Sequence, residues 1–262
     1  MKPLASLTPD DVANLAGVVF DLDDTLLDHG RLSEAAYSSL FRMREAGLRL
    51  VGCTGRPFGW IDVLGRQWPV DAMVAENGAA ALVRAESGDL RTILWTEGRR
   101  RSELLALADE IVARFPASRI TDDNSARVCD VTIDIGERCR VAPEDVRAMH
   151  AIARERGVAS VSSSVHFHLS HDAPDKAAGT VRMLVEAFGE DATAARFRHA
   201  FIGDSGNDAT AFAAFRLTFG VANVRGAGHS LTRMPRFVAP SPMGRGFVEI
   251  AKAIVDLRKP RV

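Results

Sequence analysis

The sequence lacks the features that would place it early in several large classes of protein. It holds only three cysteines, Cys53, Cys129 and Cys139, an odd number without CxxC spacing, so neither a disulfide framework nor a zinc site is indicated. No basic run stands out, and 33 Lys and Arg nearly balance 34 Asp and Glu, which leaves a formal charge of −1 and no footprint for nucleic acid. No segment approaches the ~20 apolar residues that a membrane-spanning helix requires. The opening MKPLASLTPDDVANLAG has no apolar stretch of signal-peptide length. No internal repeat or low-complexity linker interrupts the chain. These absences set the expectation of a cytoplasmic protein whose partner is a small molecule, with no nucleic acid and no membrane; oligomeric state is not legible.

What is present is a chain of 262 residues, 47% of them apolar, enough to bury a sizeable core and to divide into a main domain and a smaller one. Val18-Val19-Phe20 is a brief apolar run that ends in carboxylates, as a buried strand does where it meets solvent. Residues Ser33 to Ala46 place Ala36, Leu40 and Met43 on one helical face, Gly47 stops that helix, and Leu48 to Cys53 reads as the next strand. Pro57 to Gln67 supplies a helix and Val70 to Ala75 a third strand. Strands alternating with helices predict a parallel sheet with helices on both faces.

From about Ala80 to Ser170 the pattern changes. Val131, Ile133 and Ile135 alternate with Thr132 and Asp134, which predicts a sheet exposed on one face, with helices at Ser102 to Phe115 and Pro143 to Arg156 covering the other. After Pro174 the first pattern returns, with a helix from Lys176 to Phe188, a strand at Ala200 to Ile202, a helix near Asn207 to Ala214 and a strand around Leu217 to Val221. The order predicts an α/β core at 1–80 and 172–262, interrupted by an α+β insert at 81–171.

Chemistry concentrates at the predicted strand ends. Asp21-Leu22-Asp23-Asp24-Thr25 sets three carboxylates directly after a buried strand; it is either a solvated acidic turn or one side of a site for a hard divalent cation. Cys53-Thr54-Gly55-Arg56-Pro57 ends the second strand and opens a helix, where it is either an ordinary turn or a hydroxyl-and-amide cradle for phosphate. Gly203-Asp204-Ser205-Gly206-Asn207-Asp208 follows another strand, and a helix cap explains one of its acids but does not require both. Lys176 opens a helix, where the macrodipole disfavours a cation unless an anion sits nearby or the side chain is solvated. Ser162 to His168 offers hydroxyls and imidazoles as a sugar-binding edge or as ordinary strand packing, and Trp60, Trp68 and Trp95 read as packing residues.

Taken in order, VFDLDDT, CTGR, the Lys176 segment and GDSGND resemble the four motifs of the haloacid dehalogenase superfamily of phosphohydrolases. An insert between the second and third motifs, the Glu76-Asn77-Gly78 turn and the tail at Val221-Ala222-Asn223 and Gly244-Arg245-Gly246-Phe247 resemble its Cof-like subfamily IIB, which includes sucrose-phosphate and mannosyl-3-phosphoglycerate phosphatases. Ala177 departs from the glycine that often follows the lysine of that family. The resemblance implies a Rossmann-like α/β core with an inserted C2B-type cap, and a phosphatase that hydrolyses a phosphorylated metabolite, a sugar phosphate above all.

It further implies Asp21 as nucleophile and Asp23 as general acid and base. Thr54, Gly55 and Lys176 would hold the phosphoryl group, and Asn207 would bind a phosphate oxygen or orient Lys176. Magnesium would be bound by Asp21, the backbone carbonyl of Asp23 and Asp204, with Asp208 behind them. A sugar phosphomutase with the same phospho-aspartate chemistry is the alternative, and a catalytically idle binding module a third.

Overall fold

The computed structural model describes residues 1–95, 101–162, 165–172, 175–226 and 231–258. The chain opens with β1 (Lys2–Pro3), α1 (Pro9–Val12), β2 (Gly17–Phe20), α2 (Glu34–Glu45), β3 (Arg49–Cys53), α3 (Phe58–Gln67) and β4 (Ala72–Ala75), followed by β5 (Ala80–Arg84) and β6 (Leu90–Leu94). The middle holds α4 (Arg101–Arg114), β7 (Arg119–Ile120), β8 (Val131–Asp134), α5 (Pro143–Glu155), β9 (Ala159–Ser162) and β10 (His166–Ser170). The chain then continues through α6 (Lys176–Phe188), α7 (Ala192–Arg198), β11 (His199–Gly203), α8 (Ala209–Ala214), β12 (Leu217–Gly220), β13 (Phe237–Val238) and α9 (Met243–Arg258). Among the described residues no helix is long and apolar enough to cross a membrane.

One sheet runs in the order β1-β13-β12-β11-β2-β3-β4-β5-β6, parallel up to β4 and antiparallel in β5 and β6. The central strands β2, β4, β11 and β12 are buried on both faces because each face carries helices. Val18 and Phe20 of β2 pack with Leu40 of α2, Ile61 of α3 and Phe247 of α9, whereas Val19 packs with Val181 of α6, Ala195 of α7 and Phe212 of α8. A side chain on a strand alternates sides, so a one-residue slip would exchange the two cores. Chain order reverses between β2 and β11, and ligands of α/β sheets gather at the carboxyl ends of strands at such a switch point.

The second sheet, β7-β8-β10-β9, is antiparallel throughout. Val131, Ile133, Phe167 and Leu169 form one side of its core, and Leu104, Ile111, Met149 and Ile152 of α4 and α5 form the other. The α/β core with an inserted α+β unit is therefore as the sequence predicts.

Two expectations are corrected. Residues 81–94, assigned in the sequence to the insert, extend the main sheet through β5 and β6, so the insert starts beyond Leu94. Alternation alone does not say which sheet a strand joins. The polar face of β8 is also not solvated: Thr132 and Asp134 are buried. The Asp122–Ala126 turn folds over that face, where Asn124 donates to the Thr132 carbonyl at 2.7 Å and accepts from the Thr132 amide at 3.0 Å. Polar residues stay compatible with burial when hydrogen bonds replace water.

Candidate active site

β2 and β11 end side by side, and the Asp21 amide donates to the Ile202 carbonyl at 2.9 Å, which carries Asp21 just past the sheet edge. Lys176 reaches the same point from the first turn of α6. Its position is fixed by the Asp175 side chain, which caps the helix by accepting from the amides of Ala177 and Ala178. The side chain is only 1% exposed, and its ammonium donates to Asp21 Oδ1 at 2.6 Å and to Asp208 Oδ1 at 2.8 Å. Burial alone would lower the Lys176 pKa, but Asp208 and Asp21 hold it well above the ordinary lysine value. The unfavourable macrodipole is thus outweighed by two direct ion pairs, and Lys176 is not a surface lysine.

Asp208 is fully engaged. Its Oδ2 accepts from the amides of Asp204 and Ser205 at 2.9 and 3.1 Å, folding the carboxylate over Gly203. A Cβ at Gly203 would lie 2.4 Å from that oxygen, so the close approach requires glycine. Asp204 accepts from the Thr25 hydroxyl at 3.1 Å and from the Asn223 side-chain amide at 2.7 Å. Asn223 also donates to the Asp24 carbonyl and accepts from the Met243 amide, tying the acidic loop to α9.

One oxygen from each of Asp21, Asp204 and Asp208 lies within 4.8 Å of the others. Burial pushes the Asp21 carboxyl well above the usual range against the pull of Lys176, and Asp208, Asp204 and Asp23 add to the rise. Burial and then Asp208 push Asp204 up to about 7. Three buried carboxylates facing one ammonium leave negative charge unanswered, and a small hard cation with oxygen ligands fits that donor set. All three acids are already hydrogen-bonded, Asp208 to Lys176 and two amides, Asp204 to Thr25 and Asn223, and Asp21 to Lys176.

This electrostatic excess has a measurable consequence. An unfolded aspartate titrates near 3.8 and folded Asp204 at about 7, so folding favours the protonated form. The stability that comes from this group is present below 3.8 and lost as pH rises through about 7. In chelator the melting temperature is expected to fall across that interval, and magnesium to restore it more at the alkaline end than at the acid end. Melting curves with and without the ion check this; a magnesium shift independent of pH would contradict it.

Thr54 is buried at the end of β3, its amide held by the Val74 carbonyl at 2.9 Å. The Arg56 amide donates to Thr54 Oγ1 at 3.1 Å, so the hydroxyl oxygen is an acceptor there and its proton is directed elsewhere. Gly55 packs against Asn77, whose Oδ1 would lie 3.0 Å from an added Cβ. Asn207 is exposed and does not bond to Lys176; its side chain accepts from Ser205 Oγ and donates to Asn77 Oδ1 at 3.4 Å. Asp23 is turned away from the three central acids. Both of its oxygens accept from Arg56 Nε, at 2.9 and 2.8 Å, and the guanidinium lies over the Trp60 ring with 3.8 Å to its centroid.

Three residues at the site have no role legible in the sequence, although two of them, Glu76 and Asn223, lie in segments that carry the subfamily resemblance; Asn223 is one. Glu76, buried at the core side of the insert, accepts from the amides of Phe58, Val128, Cys129 and Asp130 at 2.7–3.0 Å. Burial, then the Asp130 carboxylate, push its pKa to about 7. Arg127 donates from the insert to the Gly55 carbonyl at 3.2 Å and is held by Asp123 and Asp130. His168 closes that network at 2.9 Å from Asp130, so it is a packing partner and not part of an open sugar-binding edge. Ser163 and Ser164 of the same motif lie outside the described residues.

Residues 18–92 match the family profile described as haloacid dehalogenase-like hydrolase. No curated protein matches the chain. Among solved structures, a Thermoplasma acidophilum protein is 21% identical with a TM-score of 0.73, covering 93% of this chain and 99% of its own. A Bacteroides thetaiotaomicron phosphatase of the haloalkanoate superfamily is 16% identical with a TM-score of 0.65, covering 97% and 98%. A subclass IIB sugar phosphatase is 14% identical, also at 0.65, covering 90% and 97%. The profile covers the first two of the four motifs, and the likeness in fold extends over nearly the whole chain.

Proposed function

We propose that this chain is a magnesium-dependent phosphatase of the haloacid dehalogenase-like kind that cleaves a small phosphorylated metabolite, a sugar phosphate above all, through an aspartyl-phosphate at Asp21. The observation that carries the proposal is the buried assembly of Asp21, Lys176, Asp208 and Asp204 at the switch point of the sheet. The likeness to a sugar phosphatase supports the substrate class.

A carboxylate attacks an anionic phosphate only where cations answer the charge on the phosphoryl oxygens. Magnesium, when bound by Asp21 and Asp204, supplies much of that neutralisation. Lys176 supplies the rest and holds one Asp21 oxygen, which aims the other at phosphorus. Thr54 Oγ1 and the Gly55 amide receive the phosphoryl oxygens, and Asn207 extends the cradle at its rim. As the Asp21 oxygen bonds to phosphorus, the ester P–O bond breaks and Asp23 gives its proton to the leaving oxygen. Asp23 then takes a proton from water, whose oxygen attacks phosphorus, releasing orthophosphate and restoring Asp21. Arg127 holds the cradle from the insert through Gly55, so the insert braces the site.

The test is release of orthophosphate from p-nitrophenyl phosphate and from a panel of sugar phosphates, with magnesium and with chelator. Turnover is expected only with magnesium. Interconversion of hexose phosphates in the presence of an activating bisphosphate, with no orthophosphate released, would replace hydrolysis by mutase chemistry.

A further inference from the structure

Glu76, buried where the insert meets the core, joins the two through both of its oxygens. Oε1 accepts from the Phe58 amide at 3.0 Å and the Val128 amide at 2.9 Å, and Oε2 from the amides of Cys129 and Asp130 at 2.7 and 2.8 Å. Phe58 opens α3, the helix that follows the Thr54-Gly55-Arg56 turn, and Pro57 before it offers no side-chain cap. Glu76 therefore serves as the cap of that helix from a distance, answering an amide that the helix itself leaves without a partner. Val128 to Asp130 lead directly into β8 of the insert. One carboxylate thus fixes the helix behind the phosphate cradle and the base of the insert together.

The backbone is bent to permit this. Glu76 and Asn77 have φ of 50° and 54°, a left-handed region that residues other than glycine rarely occupy, and Gly78 follows at 106°. Such a conformation persists only where its surroundings fix it. Here the surroundings are three loops of the candidate site. The amides of Glu76 and Asn77 donate to the carbonyls of Arg56 and Thr54, each at 3.1 Å. The Asn77 side chain lies against Gly55 and accepts from Asn207 Nδ2 at 3.4 Å. Gly78 is pressed on the backbone of Asp175 and Gly179, on either side of Lys176, with no room for a Cβ. Arg127 reaches the cradle only at the Gly55 carbonyl. Resting on the phosphatase reading above, we propose that Glu76 is a positioning residue for phosphoryl transfer, through which the seating of the insert sets the phosphate cradle. A displacement of the amides at 128–130 is carried by the carboxylate into α3 and into the turn that holds Thr54 and Arg56. A carboxylate is suited to this because each oxygen accepts two hydrogen bonds and the charge strengthens all four.

The experiment measures hydrolysis of p-nitrophenyl phosphate by the full chain with magnesium, and its inhibition by inorganic phosphate, in the wild type and Glu76→Gln. Gln has the same shape but keeps one oxygen and turns an NH2 group toward two amides that need an acceptor. KM and the inhibition constant of phosphate should both rise, by a similar factor on the order of 10-fold. The turnover number per folded chain should change much less, because the cradle holds the phosphoryl group in ground and transition states alike. Circular dichroism and melting curves give the folded fraction. Should Glu76→Gln fail to fold, Glu76→Asp carries the same comparison, keeping the charge one methylene short of the amides. Arg127→Met should raise the same constants, and the double variant should raise them by less than the product of the two factors, since both act on one cradle from one insert. Activity that falls only with the folded fraction, KM and the inhibition constant staying as in the wild type, would make Glu76 a structural tie and overturn the proposal while leaving the phosphatase standing. Factors that multiply in the double variant would mean two independent braces and overturn the link to the seating of the insert. A wild type that hydrolyses no ester would remove both readings together.

Discussion

Replacing Asp21 by Asn is expected to lower turnover of p-nitrophenyl phosphate by on the order of 10⁴-fold or more, since loss of a nucleophile removes the covalent route and not one contact along it. Asn has the same size, and its carbonyl oxygen can still accept from the Lys176 ammonium, which now donates to Asp21 Oδ1 at 2.6 Å. The fold should therefore survive, with near-UV spectra close to those of the wild type. What disappears is an anionic oxygen able to bond to phosphorus. Acid quenching during turnover should trap one phosphoryl group per chain on a peptide containing Asp21 in the wild type, and none in the variant. An aryl phosphate is the right probe because its leaving group departs with little protonation, so the measurement isolates Asp21 from Asp23. Comparable rates in the two proteins would take Asp21 out of the nucleophile role whatever the rest of the site does.

How much of this site could be read in the sequence depended on how local each part of it is. Asp21, Thr54, Asp204 and Asp208 stand in short clusters directly after apolar strands, so strand order and residue type together announce them. Lys176 is legible only in the company of the others, because nothing local distinguishes a lysine on a helix from one aimed at two buried carboxylates. The side-chain direction of Asp23 was not legible at all: it depends on Arg56, 33 positions on, turning toward it across the mouth. Glu76 acts on four amides, and Asn223 on a carbonyl and an amide besides the Asp204 carboxylate; main-chain partners leave no trace in residue identity, so the roles of these two were not legible even where their segments resembled a family. The fold follows the same division. Alternating strands and helices gave the parallel core, while the two antiparallel strands at 80–94 and the polar but buried face of β8 depend on which distant surfaces meet.

Lys176→Met tests the charge balance on which the whole site rests, and its effect should reach stability as well as rate. The ammonium is the cation that directly contacts Asp21 and Asp208, and removing one partner of a buried ion pair leaves the other uncompensated at a cost of about 3–5 kcal/mol. The stranded carboxylates escape part of that cost by binding protons. Removing a cation raises carboxyl pKa values that burial has already raised at Asp21 and Asp204, so the sign is fixed. Below the ordinary carboxylate range the acids are protonated in both folded and unfolded chains and the penalty is small; it grows as pH rises through the elevated values. Denaturant unfolding at pH about 5 and about 8 should therefore show the variant closer to the wild type at the lower pH. Magnesium should recover part of the lost stability at the higher pH, because it answers the same excess of negative charge. It should not recover turnover, since a cation held between Asp21 and Asp204 cannot also stand where the ammonium holds and aims the Asp21 oxygen. A variant as stable as the wild type at both pH values would mean that the three acids do not share one electrostatic balance, and the argument for a cation among them would fall with it.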